Sequence, residues 1–322
     1  MSAAFDVFGV LGSCMGCMVA VEGIAKEDPS AMNLMTFATF VTISLVGLVT
    51  TKKFFTVPNK IPFRGYLWVI TIFFTVNVIN NQALNFHIPV PLHIIFRSGS
   101  LLASLLLEVA WRGRRYGTRK YLSVFAITIG IIICTLATSS SDPSGLSYEE
   151  ASQHYREWTI GISMLVFALF ASAFLAIKQQ EMYQTYGKHP DEAMFVTHFY
   201  SLPFFAFMWS DIQRSITAFN ASAPFSFGDF SLNIPKFWVL LGIACILQYL
   251  CIRFVYNLNA TVEALTVTLV VTLRKFLSLI VSIVLYENPF TPMHWFGAAL
   301  VFGGTACFDD AFFKKEEKKK KQ

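Results

Sequence analysis

Long stretches without a single Asp, Glu, Lys or Arg alternate with short polar ones along this chain. The charge-free runs cover 29–51, 65–96, 121–141, 158–177, 193–210, 237–252 and 288–308. About 20 apolar residues cross a hydrocarbon core about 30 Å thick as an α-helix. The pattern predicts ten helices, at about 5–24, 31–51, 64–86, 90–111, 119–139, 157–179, 192–211, 235–256, 260–286 and 292–313. The expected fold class is an all-α polytopic membrane protein, with one domain over 5–313 and a basic tail over 314–322. Ten spans leave little room for loops. Only 140–156, polar and acidic, and 212–234, rich in Ser, Asn and Pro, are long connections.

The two halves are weakly alike. Arg97 on helix 4 and Arg274 on helix 9 are each followed by an acidic residue (Glu108, Glu287) and a helix opening with Thr (Thr118, Thr291). A glycine follows each threonine at +12, Gly130 and Gly303. With five helices per half, the second half enters from the opposite side. The arrangement expected is two inverted five-helix repeats, at about 5–139 and 157–313, as in many secondary transporters. Two glycines and two threonines can also coincide by chance, so the spacing alone leaves the repeat open.

Composition agrees with the pattern. Hydrophobic residues make up 55% and charged residues only 14%, against about 25% charged in soluble domains. Phe occurs 33 times, and the mean hydropathy is +0.55. The segment before the first helix carries Asp6 rather than a basic flank, and no small-residue cleavage site follows Val21. The first helix is therefore expected to stay in the membrane. Basic loops stay cytosolic. With both termini in the cytosol, that side holds seventeen Lys and Arg, six of them in the tail, against four opposite: Lys26, Arg156, Arg214 and Lys236.

Six cysteines (14, 17, 134, 245, 251 and 307) all fall in predicted spans. Cys14 and Cys17 form C-x-x-C, but bilayer burial and the lack of a second pair favour small packing residues over redox or metal chemistry. Gly9, Ser13, Gly16 and Cys17 form a small-residue stripe suited to helix packing. No motif requires a cofactor or metal ion, and nothing points to nucleic acid.

Three cations lie inside apolar segments: Arg97, after the charge-free 65–96, and Arg274-Lys275, midway along Ala264 to Tyr286. An Arg or Lys at mid-bilayer costs roughly 2.5–3.5 kcal/mol, so such residues usually face an aqueous cavity and handle an anion or a proton. On helix 4, His93, Arg97, Ser100, Ser104 and Glu108 fall within roughly an 80° arc at 100° per residue. The plainer alternative is Arg97 snorkelling to the interface or tied to Glu108. On helix 9, Thr268, Thr272, Lys275, Ser278 and Ser282 share a face with Arg274 at its margin. The adjacent cations point about 100° apart, so one can grip a ligand while the other pairs with protein. Guanidinium suits bidentate contact with phosphate, and ammonium acts as a movable point charge. A diphosphate fits three converging cations better than a monocarboxylate does.

Helix 3 supplies neutral polarity through Phe73, Asn77, Asn80 and Asn81, which share a face. Carboxamides donate and accept, and a phenyl ring offers a stacking surface, as recognition of a base or sugar requires. The alternative is interhelical hydrogen bonding by Asn. Asn220-Ala-Ser222 is a glycosylation sequon on the expected lumenal side. Lys319 and Lys320, at −4 and −3 from the C-terminus, resemble the dilysine signal by which coat proteins return membrane proteins to the endoplasmic reticulum. The plainer reading of the tail is a positive-inside flank.

Two stretches carry a specific likeness: FFTVNVINNQALNFHIPVPLHIIFRSGSLL (73–102) and TVTLVVTLRKFLSLIVSIVLYENPFTPMHWFG (266–297). They resemble the nucleotide-sugar transporters of the drug/metabolite transporter superfamily, nearest to the group with the UDP-N-acetylglucosamine and UDP-xylose transporters. The resemblance covers nearly the whole chain. It implies ten helices in two inverted repeats, cytosolic ends and residence in the endoplasmic reticulum or Golgi. It also implies exchange of a nucleotide sugar for a nucleoside monophosphate, here UMP. The family's T-x-R-K element, which meets the phosphates, falls on Thr272, Arg274 and Lys275, and its helix 4 basic position falls on Arg97. Relatives with lysine on helix 4 move other nucleotides, so the arginine leaves the cargo open. The GALNK element of GDP-mannose transporters is absent.

The expected function is therefore alternating-access exchange of a UDP-sugar for UMP, with GDP-fucose as an alternative cargo. Two other classes compete. A membrane enzyme of glycan assembly would normally carry acidic or His/Asp constellations on its loops, which here are short. A non-transporting scaffold would have no use for central cations.

Overall fold

The structure, a computed structural model, describes residues 3–113, 115–139, 148–227, 230–261 and 264–308. Lys319 and Lys320 lie outside the described residues. Helices dominate: α1 (Ala3–Glu27), α2 (Met32–Thr50), α3 (Phe63–Ala83), α4 (Val90–Ser98), α5 (Ser100–Arg112), α6 (Thr118–Ser139), α7 (Tyr148–Tyr186), α8 (Pro190–Ser201), α9 (Trp209–Asn220), α10 (Lys236–Thr261), α11 (Ala264–Tyr286) and α12 (Pro292–Phe308). Among the described residues, seven helical segments are long and apolar enough to cross a membrane: Ala4–Glu27, Pro29–Thr50, Phe63–Ala83, Val90–Trp111, Thr118–Thr138, Ala151–Tyr186 and Lys236–Val255. Such a chain is a multi-pass membrane protein.

Four features depart from the pattern-based expectation. The segment expected as one helix over 90–111 is two helices meeting at Gly99. The helix expected over 157–179 runs for 39 residues, about 58 Å at 1.5 Å per residue, because the Tyr-Glu-Glu segment before it and the Gln-rich segment after it are good helix formers. The helix expected over 192–211 is α8, a 3-10 stretch (Leu202–Met208) and α9. Pro203 opens that stretch and has no N–H with which to continue the α-helical ladder. Finally, the loop expected over 212–234 contains an antiparallel hairpin, β1 (Pro224–Phe227) with β2 (Phe230–Pro235). The fold is thus mostly helical rather than all-α. Pro224 faces Pro235 near the hairpin's outer end, and just beyond them the Lys236 N–H donates to the Ala223 carbonyl (2.8 Å).

By packing, the chain divides into two compact units. One comprises Met1–Leu11, Phe86–Ala173 and Phe254–Gln322; the other comprises Gly12–Asn85 and Phe174–Arg253. Each unit draws on both halves of the sequence, so neither coincides with 5–139 or 157–313.

Within the first unit, α12 packs along α6. A Cβ on Gly130 would stand 2.6 Å from the Gly297 carbonyl oxygen, and one on Gly297 would stand 2.8 Å from that of Gly130. Only hydrogen fits there, and the backbones close up, as small residues allow in membrane bundles. Gly303, matched to Gly130 by spacing, has open space around it, and the neighbouring Gly304 abuts α6 instead. The two glycines therefore do not play matching parts.

In the second unit, Phe40, Phe205, Ile212, Phe219 and Phe237 belong to one buried apolar cluster with residues of α1, α2 and α10. The small-residue stripe of α1 faces α10: a Cβ on Gly16 would lie 3.0 Å from Leu247, and the Cys17 thiol donates to the Gln248 side-chain oxygen (3.2 Å).

Cys14 is disulfide-bonded to Cys251 of α10, with 4.8 Å between Cα atoms. This corrects the expectation that the cysteines serve only as small packing residues. The pairing joins residues 237 positions apart and is invisible in a C-x-x-C spacing. Non-reducing peptide mapping should recover Cys14 joined to Cys251, with Cys17, Cys134 and Cys245 as buried free thiols. A Cys14–Cys17 linkage, or six free thiols, would contradict the arrangement.

Candidate functional site

The site begins with the interruption at Gly99. Its N–H is shared between the carbonyls of Ile95 (3.3 Å) and Phe96 (2.9 Å), and its ψ of 6° departs from the helical value near −42°. A Cβ at this position would come within 2.5 Å of the Ile131 side chain on α6. A larger residue here would have to push the tip of the Ile131 side chain aside. The interruption is a helix terminus inside a predicted span, where the closing carbonyls of α4 point past the helix end.

Arg97 sits in that last turn. Its neighbours Pro91 through Phe96 and Ser98 are buried, whereas Arg97 is exposed. Lys275 reaches it from α11, which packs against α4. The Lys275 Nζ donates to the Arg97 carbonyl oxygen at 3.2 Å. A cation at a helix C-terminus also matches the sign of the helix dipole. The charges of Arg97 and Arg274 both act on Lys275. Among the described residues, no carboxylate lies within ion-pair distance of Arg97 or Lys275. Arg97 and Lys275, from the two halves of the sequence, thus meet without a carboxylate counter-charge among the described residues.

The other expected residues of this unit are placed as follows. His93 is buried on α4, and Thr272 and Arg274 are half-buried on α11. Below Lys275 on α11, Ser278 and Ser282 are buried, and Asn288 donates to the Ser282 carbonyl (2.9 Å) and hydroxyl (3.1 Å). Ser100 is half-buried at the start of α5, so the face drawn through His93, Arg97, Ser100, Ser104 and Glu108 is divided between two helices. Glu108 accepts from the Tyr116 hydroxyl. The side chain of Thr268 lies outside the described residues.

The α3 candidates belong to the second unit. Phe73 stacks on Phe40, with centroids 5.3 Å apart, and meets His198 edge-on at 5.0 Å. Asn77 donates to the Phe73 carbonyl of its own helix (2.8 Å), and Asn80 donates to that of Val76 (2.9 Å). Asn81 instead crosses to α2, donating to Thr36 Oγ1 (2.7 Å) and the Met32 carbonyl (3.2 Å). Asn33 beside it donates to Asp211 of α9 (2.6 Å).

Sequence reasoning missed a buried ionic cluster in this unit. Glu192, in the first turn of α8, accepts from Lys52 Nζ (2.9 Å), the backbone N–H groups of Lys60 (2.9 Å) and Ile61 (3.0 Å), and the Tyr66 hydroxyl (3.1 Å). Lys52 and Glu192 are both buried. A Lys beside another Lys in a loop and a Glu after Pro-Asp give no hint of pairing at a separation of 140 residues.

Comparison with known proteins bears on what these residues serve. Residues 2–311 match the UAA transporter family. A Danio rerio protein named as a UDP-xylose and UDP-N-acetylglucosamine transporter is 41% identical over 96% of this chain and 94% of its own length. A Drosophila melanogaster protein named as an endoplasmic reticulum GDP-fucose transporter is 42% identical over 96% of this chain and 90% of its own. A Homo sapiens nucleotide sugar transporter is 40% identical over 97% and 95%. These relatives are named as transporters, not as enzymes.

Proposed function

Because this chain belongs to the UAA family of nucleotide-sugar transporters, we propose that it carries a UDP-sugar, UDP-N-acetylglucosamine or UDP-xylose or both, in exchange for UMP. The observation behind this reading is the meeting of Arg97 with Lys275 without a carboxylate among the described residues. Converging cations repel one another, and the repulsion is offset when an anion binds among them. Phosphates supply that anion. Arg97, Arg274, Lys275 and Thr272 meet them, with His93 and Ser100 alongside. On α3, Phe73 and Asn81 are engaged in packing and in tying α2, and Asn77 and Asn80 donate to carbonyls of their own helix. Without an anion the repulsion disfavours the occluded state, so the empty carrier returns slowly and exchange outpaces leak. The fold we assign is ten membrane helices in two inverted repeats working by alternating access. In it, α4 with α5 and α8 with α9 each count as one broken span, and α11 and α12 complete the set.

GDP-fucose is the competing cargo, favoured by the Drosophila melanogaster relative. Counterflow in proteoliposomes separates the two. Vesicles preloaded with UMP should take up labelled UDP-N-acetylglucosamine or UDP-xylose, whereas uptake of GDP-fucose only into GMP-loaded vesicles would replace the UDP reading. Absence of uptake with all three would refute it.

We place the protein in the endoplasmic reticulum or Golgi with both ends cytosolic, the Lys319-Lys320 pair being read by coat proteins. On this orientation Asn220 is lumenal. It is exposed at the end of α9, where its side-chain oxygen accepts from Trp238 Nε1 (2.8 Å). Asn220→Gln should abolish a glycosidase-sensitive gel shift; a wild-type protein without that shift contradicts glycosylation there.

A further inference from the structure

Thr291, Pro292 and His294 stand at the N-cap, N1 and N3 positions of α12. In a capping box a Glu or Gln at N3 accepts from the N-cap N–H. Here a histidine does so: the His294 Nδ1 accepts from the Thr291 N–H (3.1 Å). A backbone N–H only donates, so Nδ1 carries no proton and the ring's single proton is on Nε2. Nε2 lies 3.0 Å from the Thr138 hydroxyl in the last turn of α6, and that hydroxyl donates in turn to the Cys134 carbonyl (2.9 Å). His294 is buried, and Phe290 stacks on its ring with centroids 5.0 Å apart. One neutral imidazole thus joins the cap of α12, and the connection that follows α11, to the end of α6.

A second proton has one place to go, Nδ1, where it meets the Thr291 N–H head-on. The Thr291 hydroxyl, 2.8 Å from Nδ1, can turn to accept it, but the backbone N–H cannot. The same proton puts a buried positive charge at the positive end of the α12 dipole. From α6 the ring meets the Thr138 hydroxyl, while the Cys134 thiol donates to the His294 carbonyl (3.6 Å). α4 and α11 also pack on α12. Their titratable groups are His93, Arg97, Arg274, Lys275 and Tyr286, and Glu287 of the connection is exposed. Among the described residues, none of these bonds to the ring, and the ring has no ion pair. We propose that His294 is a pH-sensitive latch: neutral, it ties the cap of α12 to the end of α6, and protonated, it lets the cap go. The latch is complete at neutral pH and is lost as the pH falls, because the released state is the one that takes up the extra proton. On the orientation proposed above this end of α12 faces the lumen, so acid there loosens the segment joining the cation-bearing α11 to α12. The inference stands on this geometry and not on the cargo.

Hydrogen–deuterium exchange of the peptide from Phe290 to Ala298 reads the latch in the full-length protein without any ligand. Rates are compared as protection factors, which removes the intrinsic pH dependence of exchange. Between about pH 7.5 and about pH 5.5, where histidine changes charge, wild-type protection should fall about three- to thirtyfold, as on losing a helix cap. His294→Gln restores the ordinary capping box, with a carbonyl for the Thr291 N–H and an amide N–H for Thr138, and it does not titrate. Its protection should be nearly equal at the two pH values. Thr138→Val removes the α6 side of the bridge but leaves the cap, so it should lower protection at both pH values and keep the fall. Wild-type protection that does not change with pH would overturn the latch whether or not the variants fold. A fall that persists undiminished in His294→Gln, or disappears in Thr138→Val, would place the titrating group elsewhere and overturn it as well.

Discussion

Arg97→Ala should reduce UMP-driven uptake of the sugar nucleotide by at least about a hundredfold while the protein stays folded. A hydrogen bond to a charged group contributes about 1.5–3 kcal/mol. A bidentate pair to phosphate makes two of them, and each 1.4 kcal/mol is about tenfold. The fold should survive because the Arg97 side chain is exposed and, among the described residues, has no carboxylate to strand. The bond from Lys275 ends on the backbone oxygen, which alanine retains. Arg97→Lys keeps the charge but loses the fork, so its loss should fall between wild type and alanine. Exchange close to wild type in Arg97→Ala, with intact protein by size-exclusion, would remove the guanidinium from the transport site.

The largest effect on stability should come from Glu192→Ala, at about 3–5 kcal/mol, the cost of breaking a buried ion pair from one side. Four donors converge on this carboxylate, one charged and two from consecutive backbone positions. Its removal strands the buried Lys52 and frees the connection between α2 and α3. That connection holds Lys53, Phe54 and Phe55 at φ of 43°, 56° and 65°, a left-handed backbone costing roughly 1–2 kcal/mol per residue. Nearby bonds, such as Phe54 N–H to the Leu48 carbonyl (2.9 Å), help to hold it, and the anchor on Glu192 keeps the segment pinned. Removing both partners in Lys52→Met/Glu192→Ala should recover part of the loss, since no charge is then stranded. Thermal unfolding in detergent reads all three variants. A Glu192→Ala protein within about 1 kcal/mol of wild type would place the pair among weak surface ion pairs.

The site and this cluster differ in how far the sequence announces them. Arg97, Arg274 and Lys275 stand out because a charge inside an apolar run is expensive wherever it ends up. Glu192 and Lys52 sit at the edges of such runs, where charges are ordinary, and nothing marks them as partners. The α3 carboxamides are intermediate. Their shared face was legible, but whether an Asn faces a ligand or a neighbouring helix depends on which helix lies opposite, and for Asn81 that helix is α2.

The sequence by itself determined the class and most of the helices, because hydrocarbon accepts only backbone that satisfies its own hydrogen bonds and a run of apolar residues does so as a helix. It also determined which cations are out of place, since their cost is set by local apolar context alone. Tertiary structure decided the rest: the interruption at Gly99, where the chain abuts α6; the bond between Cys14 and Cys251; the Glu192 cluster; and the partner of Lys275. Each depends on two segments far apart in the chain coming within a few ångströms, a distance that no periodicity or composition encodes.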